Sequence, residues 1–330
     1  MSRRFVNLLV KKLSGGGRPT FSLHRIDPAS LFRPTGSPKP ADPAGIKEAR
    51  LPPAAVSFYG RRNGWIDFMA LNDDVMAADH EGRLLLYDGA VGAVRVVNPM
   101  VGSKRGSISL NLGADFFFVM TREVSRTRQV HHWQALSFKD WLWHPLKPLS
   151  FDMLDYIRHP RYDKYKLGLE QLDPFELGAY TAVRDDSEIG DWALPFSGHA
   201  HYLAEHGLWI GFSEKDEQLC AADLRQQPPA PPLRKFPLLH LWEEAPLSET
   251  WTPTATSLFP LGSGKLCIAR CFRTINGEKL LPSEYGHEKA ENFAVLAGVE
   301  VVEHAGTGSL QVIKHNSVCY SVGENVVRPL

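Results

Sequence analysis

Three histidines that lie close together offer the clearest opportunity for chemistry in this sequence. His199, His201 and His206 fall in the stretch GHAHYLAEHG, and residues 199 and 201 would share one face of a β-strand. Two imidazoles placed in this way could bind zinc, but a third ligand and a supporting set of side chains are not visible. We therefore expect surface or rim histidines, with metal binding as the alternative, and we predict no catalytic residue and no cofactor.

The remaining motifs are incomplete. Cys267 and Cys271 would share a strand face, but the second CxxC pair of a zinc site is missing. Residues 262–265 lack the leading glycine and the final Ser or Thr of a phosphate loop, so a hairpin turn is predicted there. Lys215 interrupts a nucleophile-elbow pattern that begins at Gly211. The acid pairs at 73–74 and 185–186 are typical of solvated turns.

The elements that must position these residues are best seen in residues 66–99. Ile66, Phe68 and Ala70 alternate with other residues, as in a half-buried strand. Three more apolar runs follow, separated by turn residues that include Asp88-Gly89, a strong hairpin signal. A single four-stranded sheet leaves both of its faces exposed to solvent. Repeating such sheets around a central axis is one way to bury those faces. The alternative is an ordinary β-meander in a sandwich.

Similar groups of short strands recur every 40 to 50 residues, roughly the spacing of propeller blades. The groups are predicted at 5–26, 107–138, 192–223 and 237–302, with closing strands at 310–322. Convincing helical periodicity over a dozen residues is absent. The sequence therefore predicts an all-β protein, a β-propeller with five or six blades of four antiparallel strands.

The N-terminal region is basic, with ten Lys and Arg in residues 1–50 against Asp27, Asp42 and Glu48. We interpret residues 1–33 as basic strands, joined by a glycine loop at 15–17, that close the ring. An organelle transit helix or a basic nucleic-acid arm are the alternatives. Residues 34–53 contain six prolines and are predicted to be a linker or long loop. Residues 54–330 would then form the propeller.

Composition excludes several classes of function. The formal net charge is zero, which argues against a protein that mainly neutralises nucleic-acid phosphates. No apolar run approaches the roughly 20 residues that span a bilayer, and no secretory signal is evident. The four cysteines are sparse and lie in apolar runs, as expected for reduced, buried thiols. We expect a cytoplasmic or nuclear protein, with organelle import through the basic N-terminus as the alternative.

Several motifs spread over nearly the whole chain carry a resemblance. They are SRRFVNLLV at 2–10, SLHRID at 22–27, VMAADHEGRLLLYD at 75–88, GDWALPFSGHAHYLAEHGLWIGFS at 190–213, LGSGKLCIARCF at 261–272, FAVLAGVEVV at 293–302 and LQVIKHNSVCYSV at 310–322. With them the chain resembles a family of cereal-grass proteins that carry a plant domain of unknown function. That domain in turn resembles the kelch and F-box-associated β-propellers.

The resemblance implies a kelch-like propeller and supplies no catalytic residues. One departure stands out: members of that family usually have an additional strand pair where residues 184–189 form a short connection here. The resemblance therefore allows one blade to be incomplete, through a deletion or an error in the gene model.

For function, we predict a non-enzymatic protein-interaction module, because propeller loops cluster on one face and loops carry recognition. Tryptophans near the predicted strand ends would mostly pack between blades, and any exposed ones would contribute to partner binding. They are Trp65, Trp141, Trp143, Trp192, Trp209, Trp242 and Trp251. The alternative is an enzyme with a metal or carboxylate site in the propeller channel. We expect a protein partner, and neither nucleic acid nor membrane.

Overall fold

The fold is all-β, as seen in a computed structural model of the chain. The described residues contain β-strands and one 3-10 turn, and no helix among them has the length and apolar character needed to cross a membrane. The structure describes residues 3–13, 18–33, 46–61, 64–102, 106–112, 115–121, 123–124, 133–146, 175–176, 179–180, 194–224, 234–235, 251–275, 290–303 and 310–330. The predicted glycine loop at 15–17, the short connection at 184–189, Trp192, Trp242 and the acid pair 185–186 lie outside these residues.

The strands are numbered in chain order. They are β1 (Val6–Leu13), β2 (Pro19–Ile26), β3 (Lys47–Ala49), β4 (Ala54–Tyr59), β5 (Ile66–Leu71), β6 (Asp74–Asp79), β7 (Leu84–Asp88), β8 (Ala93–Val97), β9 (Ser107–Leu112), β10 (Phe116–Thr121), β11 (Glu123–Val124), β12 (Trp133–Ser137), β13 (Trp143–Pro145), β14 (Phe175–Glu176), β15 (Ala179–Tyr180), β16 (Phe196–Leu203), β17 (Leu208–Ser213), β18 (Leu219–Ala222), β19 (Arg234–Lys235), β20 (Trp251–Gly262), β21 (Lys265–Ile275), β22 (Ala290–Glu303), β23 (Leu310–Gly323) and β24 (Val326–Pro329). The 3-10 turn is η1 (Pro28–Leu31).

Within the described residues, five sheets of four or five strands are the blades of a β-propeller, which confirms the predicted fold class at the lower of the two blade counts. Three sheets have four strands, as predicted, and two have a fifth. In both five-stranded sheets the chain adds a short strand in parallel orientation: β15 beside β16, and β3 beside β23. A separate two-stranded ribbon joins β11 and β14.

The chain forms two compact units, which are described separately. The first unit comprises residues 1–64, 89–92 and 178–330, and the second comprises 65–88 and 93–177. The first unit contains three sheets, with strand orders β24-β1-β2-β4, β15-β16-β17-β18-β19 and β20-β21-β22-β23-β3. The second contains β5-β6-β7-β8 and β13-β12-β10-β9.

The sheet built on β20–β23, called the long sheet below, forms the centre of the first unit. β21 and the middle of β22 are buried on both faces, so they read as nearly continuous apolar runs rather than as an alternating pattern. Along β21, Cys267, Ala269 and Cys271 face the sheet that contains β1. Leu266 and Ile268, which point the other way because strand side chains alternate, face the sheet that contains β16. One strand thus supplies two hydrophobic cores.

The N-terminal strand lies inside a sheet of the first unit. β1 pairs antiparallel with β2 on one side and with β24 on the other. Val6, Leu8 and Val10 are almost fully buried against the long sheet, which explains the apolar residues in this basic region. The two strands predicted near 5–10 and 20–26 are therefore confirmed, while the proposed domain division at residues 33 and 53 stays a prediction.

A short connection after β2 closes over the long sheet. Residues 28–33, called the strap below, directly follow Asp27, whose carboxylate accepts a 2.9 Å hydrogen bond from the Ala29 amide. Leu31 is fully buried, and a Cβ added at Gly298 would lie only 2.5 Å from the Leu31 carbonyl oxygen. The strap can approach this closely only because residue 298 has no side chain. Farther on, β3 falls within the proline-rich segment predicted as a linker.

The second unit is built around the sheet of residues 66–97, called the short sheet below. Its four strands pair in sequence order, as the apolar runs and turns predict. One face packs against the sheet of β9–β13 through Met69, Met76, Leu86, Phe117 and Leu136. Buried Asp67 connects the two sheets, because its carboxylate accepts hydrogen bonds from the amides of Ser107 and Phe68. The Asp73–Asp74 pair lies at the β5–β6 turn, as predicted.

Candidate functional site

A β-bulge in β16 positions two of the three candidate histidines. Gly198 has a φ of +70°, a conformation that glycine adopts without steric cost, and the pairing with β17 shifts between Ser197 and His201. The bulge leaves the rings of His199 and His201 with centroids 3.9 Å apart and planes tilted by 41°. The structure therefore brings these two imidazoles together, and both remain partly exposed.

The charge of an arginine near the start of the chain acts on these two histidines. The Arg3 guanidinium donates a 3.0 Å hydrogen bond to the backbone oxygen of Leu330, and its Cζ lies 5.0 Å from the centre of the Phe259 ring. Its positive charge acts on both imidazoles. We call Arg3, His199 and His201 the Arg3 cluster. Sequence reasoning missed Arg3, because its hydrogen bond to Leu330 joins two positions that are 327 residues apart in the chain.

Both imidazoles of the Arg3 cluster are held in the neutral form. Burial lowers the pKa of His199 to about 4, and the charge of Arg3 lowers it further. The pKa of His201 is well below its ordinary value, first because of burial and then because of His199 and Arg3. A hydrogen bond with the backbone of Leu258 opposes this shift in the pKa of His201. At neutral pH the only full charge within the cluster is therefore that of Arg3.

The third histidine of the motif lies elsewhere. His206 is in the β16–β17 turn, with its Nε2 3.3 Å from the carbonyl oxygen of Val301. No group of three or more His, Cys, Asp or Glu side chains able to hold a metal is found within the described part of the chain. Zinc binding by His199, His201 and His206 stays the alternative to surface or rim histidines, and these positions offer it two adjacent imidazoles rather than three.

The turn whose sequence resembles a phosphate loop bonds to a carboxylate of the chain itself. Residues 262–265 form the hairpin turn between β20 and β21, as predicted, with positive φ at Gly262, Ser263 and Gly264. The Glu205 carboxylate accepts hydrogen bonds from the amides of its own residue, Ser263 and Gly264, and these bonds lower its pKa. A carboxylate of the chain itself thus occupies the amides that a phosphate would use, and it ties the β16–β17 turn to the β20–β21 turn.

The cysteines and the elbow-like sequence belong to the core. All four cysteines are buried and none forms a disulfide. Burial raises the pKa of the Cys271 thiol to about 12 and that of Cys319 to about 11, with Glu48 adding to the latter shift. Gly211 lies within β17 against the Phe196 ring, where a Cβ would come within 2.9 Å of that ring. It forms no strained turn, so the residues around it do not present a nucleophile.

Four of the predicted packing tryptophans lie in or against hydrophobic clusters: Trp141, Trp143, Trp209 and Trp251. Trp143 and Trp209 are buried, and Trp251 stacks on Phe293 with ring centroids 4.5 Å apart. Trp65, by contrast, is 40% exposed. The larger exposed apolar surface is one that sequence reasoning missed. On β7 and β8 of the short sheet, Leu85, Val94 and Val96 are exposed, and alternation alone gave no sign of it.

These sheets define an all-β protein of the propeller class. The chain belongs to the family described as "Protein of unknown function (DUF1668)", whose model matches residues 3–189 and 187–320. The two matched stretches overlap at 187–189. Comparison with curated proteins finds no match. The cereal-grass and kelch relationships stay predictions.

Proposed function

We propose that this protein is a non-enzymatic interaction module, a β-propeller scaffold that binds a protein partner through the outer edge of the short sheet. The observation that carries this proposal is the exposure of Leu85, Val94 and Val96, which are 39%, 45% and 82% exposed. Leu85 lies directly opposite Val96, and Val94 opposite Tyr87, so the three side chains share one face. We call Leu85, Val94 and Val96 the apolar strip.

The opposite face of β8, the strand that carries Val94 and Val96, makes contacts of its own. Arg95, on the opposite face of β8, places its Cζ 4.1 Å from the ring centre of Trp141, and Val97 is buried. The exposed valines are therefore presented on a strand whose other face packs within the second unit. Ordered apolar side chains of this kind favour a protein partner, since clustered exposed apolar surface commonly marks interaction sites.

The position of β8 adds a second binding mode. β8 is the last strand in its sheet among the described residues, so its outer side can pair with an added strand. Such pairing supplies main-chain hydrogen bonds, and alternate side chains supply specificity. The resemblance to plant proteins suggests a plant protein as the partner, and the kelch analogy also favours protein ligands.

Affinity capture from a plant cell extract tests this proposal. Val96→Lys places a charge in the apolar strip, while Tyr59→Lys is a matched control, because Tyr59 is 77% exposed on the edge strand β4. We expect one protein to be recovered at equal yield with the wild type and Tyr59→Lys. Its yield should fall at least roughly tenfold with Val96→Lys, the size expected when a charge enters an apolar contact. Equal recovery by all three proteins would refute the proposed surface.

We further propose a cytoplasmic or nuclear location. Cleavage of a transit segment through β1 would remove a strand that lies between β2 and β24 and buries Val6, Leu8 and Val10. Intact-mass and N-terminal sequencing of the protein from its native cells tests this location. Retention of residues 2–13 supports it, and a mature chain that begins after Leu13 would show organelle import instead.

A further inference from the structure

We propose that the outer edge of the short sheet binds an extended peptide segment of defined pattern, in which an acidic residue lies between two β-branched apolar residues. This inference rests on the proposed function and names the chemistry of the partner segment. It concerns β8, where Arg95 lies between Val94 and Val96 of the apolar strip. A strand added beside β8 would meet apolar side chains on one face and a positive charge on the other.

The charge along this edge has one sign. Arg95 is the only charged residue in the stretch 89–103, and it is exposed. Its Cζ lies 4.1 Å from the ring centre of Trp141, so a side chain of the same unit holds the guanidinium beside the strand. A guanidinium that lies over a ring can still bond a carboxylate through its planar fork of N–H donors. The edge therefore favours an acidic residue at the position opposite Arg95.

The apolar strip determines the residues on either side of that acid. Residues that lie opposite each other on neighbouring strands have their side chains on the same face of the sheet. The positions before and after the acid would therefore lie opposite Val94 and Val96, which are 45% and 82% exposed. Leu85 on β7 extends the same face. Because β-branched side chains fit a half-buried pleated surface well, the simplest partner segment is Val-Glu-Val.

The long sheet shows that an outer strand of this protein can pair with a segment this short. β3 pairs with β23 over three residues only, along 318–320. Two of these three residues, Lys47 and Glu48, are charged and exposed, so an added strand here carries charge at the edge of its sheet. β8 offers five residues for such pairing and has no further strand beside it among the described residues.

A second copy of the protein fits this edge less well than an acidic segment does. Two copies of β8 side by side would bring two arginines together, and the stretch 89–103 has no acidic residue to pair with them. Like charges on paired strands destabilise the pairing. The apolar strip alone would accept either occupant, so it is the charge of Arg95 that selects an acidic segment from another protein.

Fluorescence anisotropy with three labelled peptides tests the inference on the full-length protein. The amidated probe Ser-Val-Thr-Val-Glu-Val-Thr-Val-Ser is compared with versions in which Gln or Lys replaces the central Glu. We expect saturable binding of the Glu peptide, roughly threefold weaker binding of the Gln peptide and roughly tenfold weaker binding of the Lys peptide. These differences should shrink as the salt concentration rises, because salt screens exposed charges.

Variants of the protein make the test specific. Arg95→Glu should reverse the order, so that the Lys peptide binds more tightly than the Glu peptide, whereas a merely structural role of Arg95 would weaken all three peptides alike. Arg50→Glu is the matched control, because Arg50 is exposed in the first unit and the substitution changes the net charge equally. Arg95→Lys keeps the charge should Arg95→Glu fail to fold, which circular dichroism would reveal, and it should keep the wild-type order.

Failure of this inference and failure of the proposed function can be told apart. Equal binding of the three peptides, no binding, or an unchanged order in Arg95→Glu would overturn the acidic pattern, while partner capture that depends on Val96 would leave the proposed function standing. Peptide binding that Val96→Lys leaves unchanged would overturn both. A dimer that forms at the concentrations of the titration and is lost in Val96→Lys would identify a second copy as the occupant, and it would overturn the inference.

Discussion

The long sheet and the short sheet share an antiparallel, sequence-ordered core of four strands and differ in how the outer strand is treated. β20–β23 are 12, 11, 14 and 14 residues long, and β5–β8 are 6, 6, 5 and 5. β23 is covered by the parallel strand β3, which pairs along 318–320. β8 has four exposed residues of five and, in the described part of the chain, no further strand.

Among the described residues, the outer strand of the long sheet therefore has a neighbouring strand from the chain itself, and the outer strand of the short sheet does not. An uncovered edge strand is a pairing hazard, and proteins normally shorten it, charge it or cover it. The long sheet receives a cover from the proline-rich segment, while the short sheet has only Arg95 as a charge on its outer strand. We therefore expect the long sheet to respond to changes in its core and cover, and the short sheet to respond to changes in what it binds.

The largest expected effect is alkaline destabilisation centred on the long sheet. Burial raises the pKa of Cys267, Cys271 and Cys319 above the value of an unfolded thiol, so each contributes stability that is constant below pH 9 and lost above it. By pH 10 the three thiols should remove about 4 kcal/mol from the free energy of unfolding. Urea unfolding at pH 8 and pH 10 measures this loss. Cys271→Ala should reduce the dependence on pH by about a third, and an unchanged slope would contradict the assignment.

The next effect concerns the strap. Gly298→Ala places a methyl group against the Leu31 carbonyl, and we expect a loss of about 2–3 kcal/mol, as for overpacked sites. The control is Gly323→Ala, since Gly323 has a φ of +60° and no atom within 4 Å of the added Cβ. Its cost should be only about 1 kcal/mol, from backbone strain. Chemical denaturation measures both, and equal losses would mean that the strap does not depend on the missing side chain.

A smaller loss is expected in the second unit. Asp67→Asn removes the charge from a buried carboxylate that accepts from two backbone amides, and it turns one oxygen into a donor. The free energy of unfolding should fall by about 1–3 kcal/mol, the cost of leaving a buried amide without its acceptor. Hydrogen exchange at Ser107 should rise in the same variant. Unchanged protection of the Ser107 amide would show that the link between β5 and β9 does not rest on Asp67.

The smallest effect is at the outer strand. Val96→Lys should change the free energy of unfolding by no more than about 0.5 kcal/mol, because a side chain that is 82% exposed contributes little to the folded core. The same variant is expected to lose partner capture, so binding and stability separate at this position. Thermal unfolding of Val96→Lys, compared with that of Tyr59→Lys, measures this change in stability. A loss similar to that of Asp67→Asn would place Val96 in the core and remove the basis for the apolar strip.

The sequence predicted local structure far better than it predicted contacts. Residues 66–97 carry alternation and Asp-Gly turn signals, and their four strands were foreseen because both signals are local. The N-terminal strands were foreseen for the same reason. β3 was not, because three residues in a proline-rich segment have no period of their own, and its strand character comes from pairing with β23.

The candidate site was foreseen only in part. The i, i+2 spacing placed His199 and His201 on a common face, and the structure brings their rings together. The spacing could not show that Gly198 opens a bulge, nor that burial lowers the pKa of His199. The exposure of Val94 and Val96 was hidden as well, since a short apolar run looks the same at an open edge and in a covered sheet.

The pairing of β1 with β24 has a consequence for biosynthesis. Arg3 and Leu330, which bond to each other, are 327 positions apart, so the first strand emerges from the ribosome long before its neighbour exists. At translation rates of about 5–20 residues per second, this interval is roughly 15 to 60 s. During that time Val6, Leu8 and Val10 belong to a strand with an unfilled side in a growing nascent chain. Until β24 is synthesised and pairs with β1, the side of β1 that β24 will occupy is open to pairing with other polypeptides.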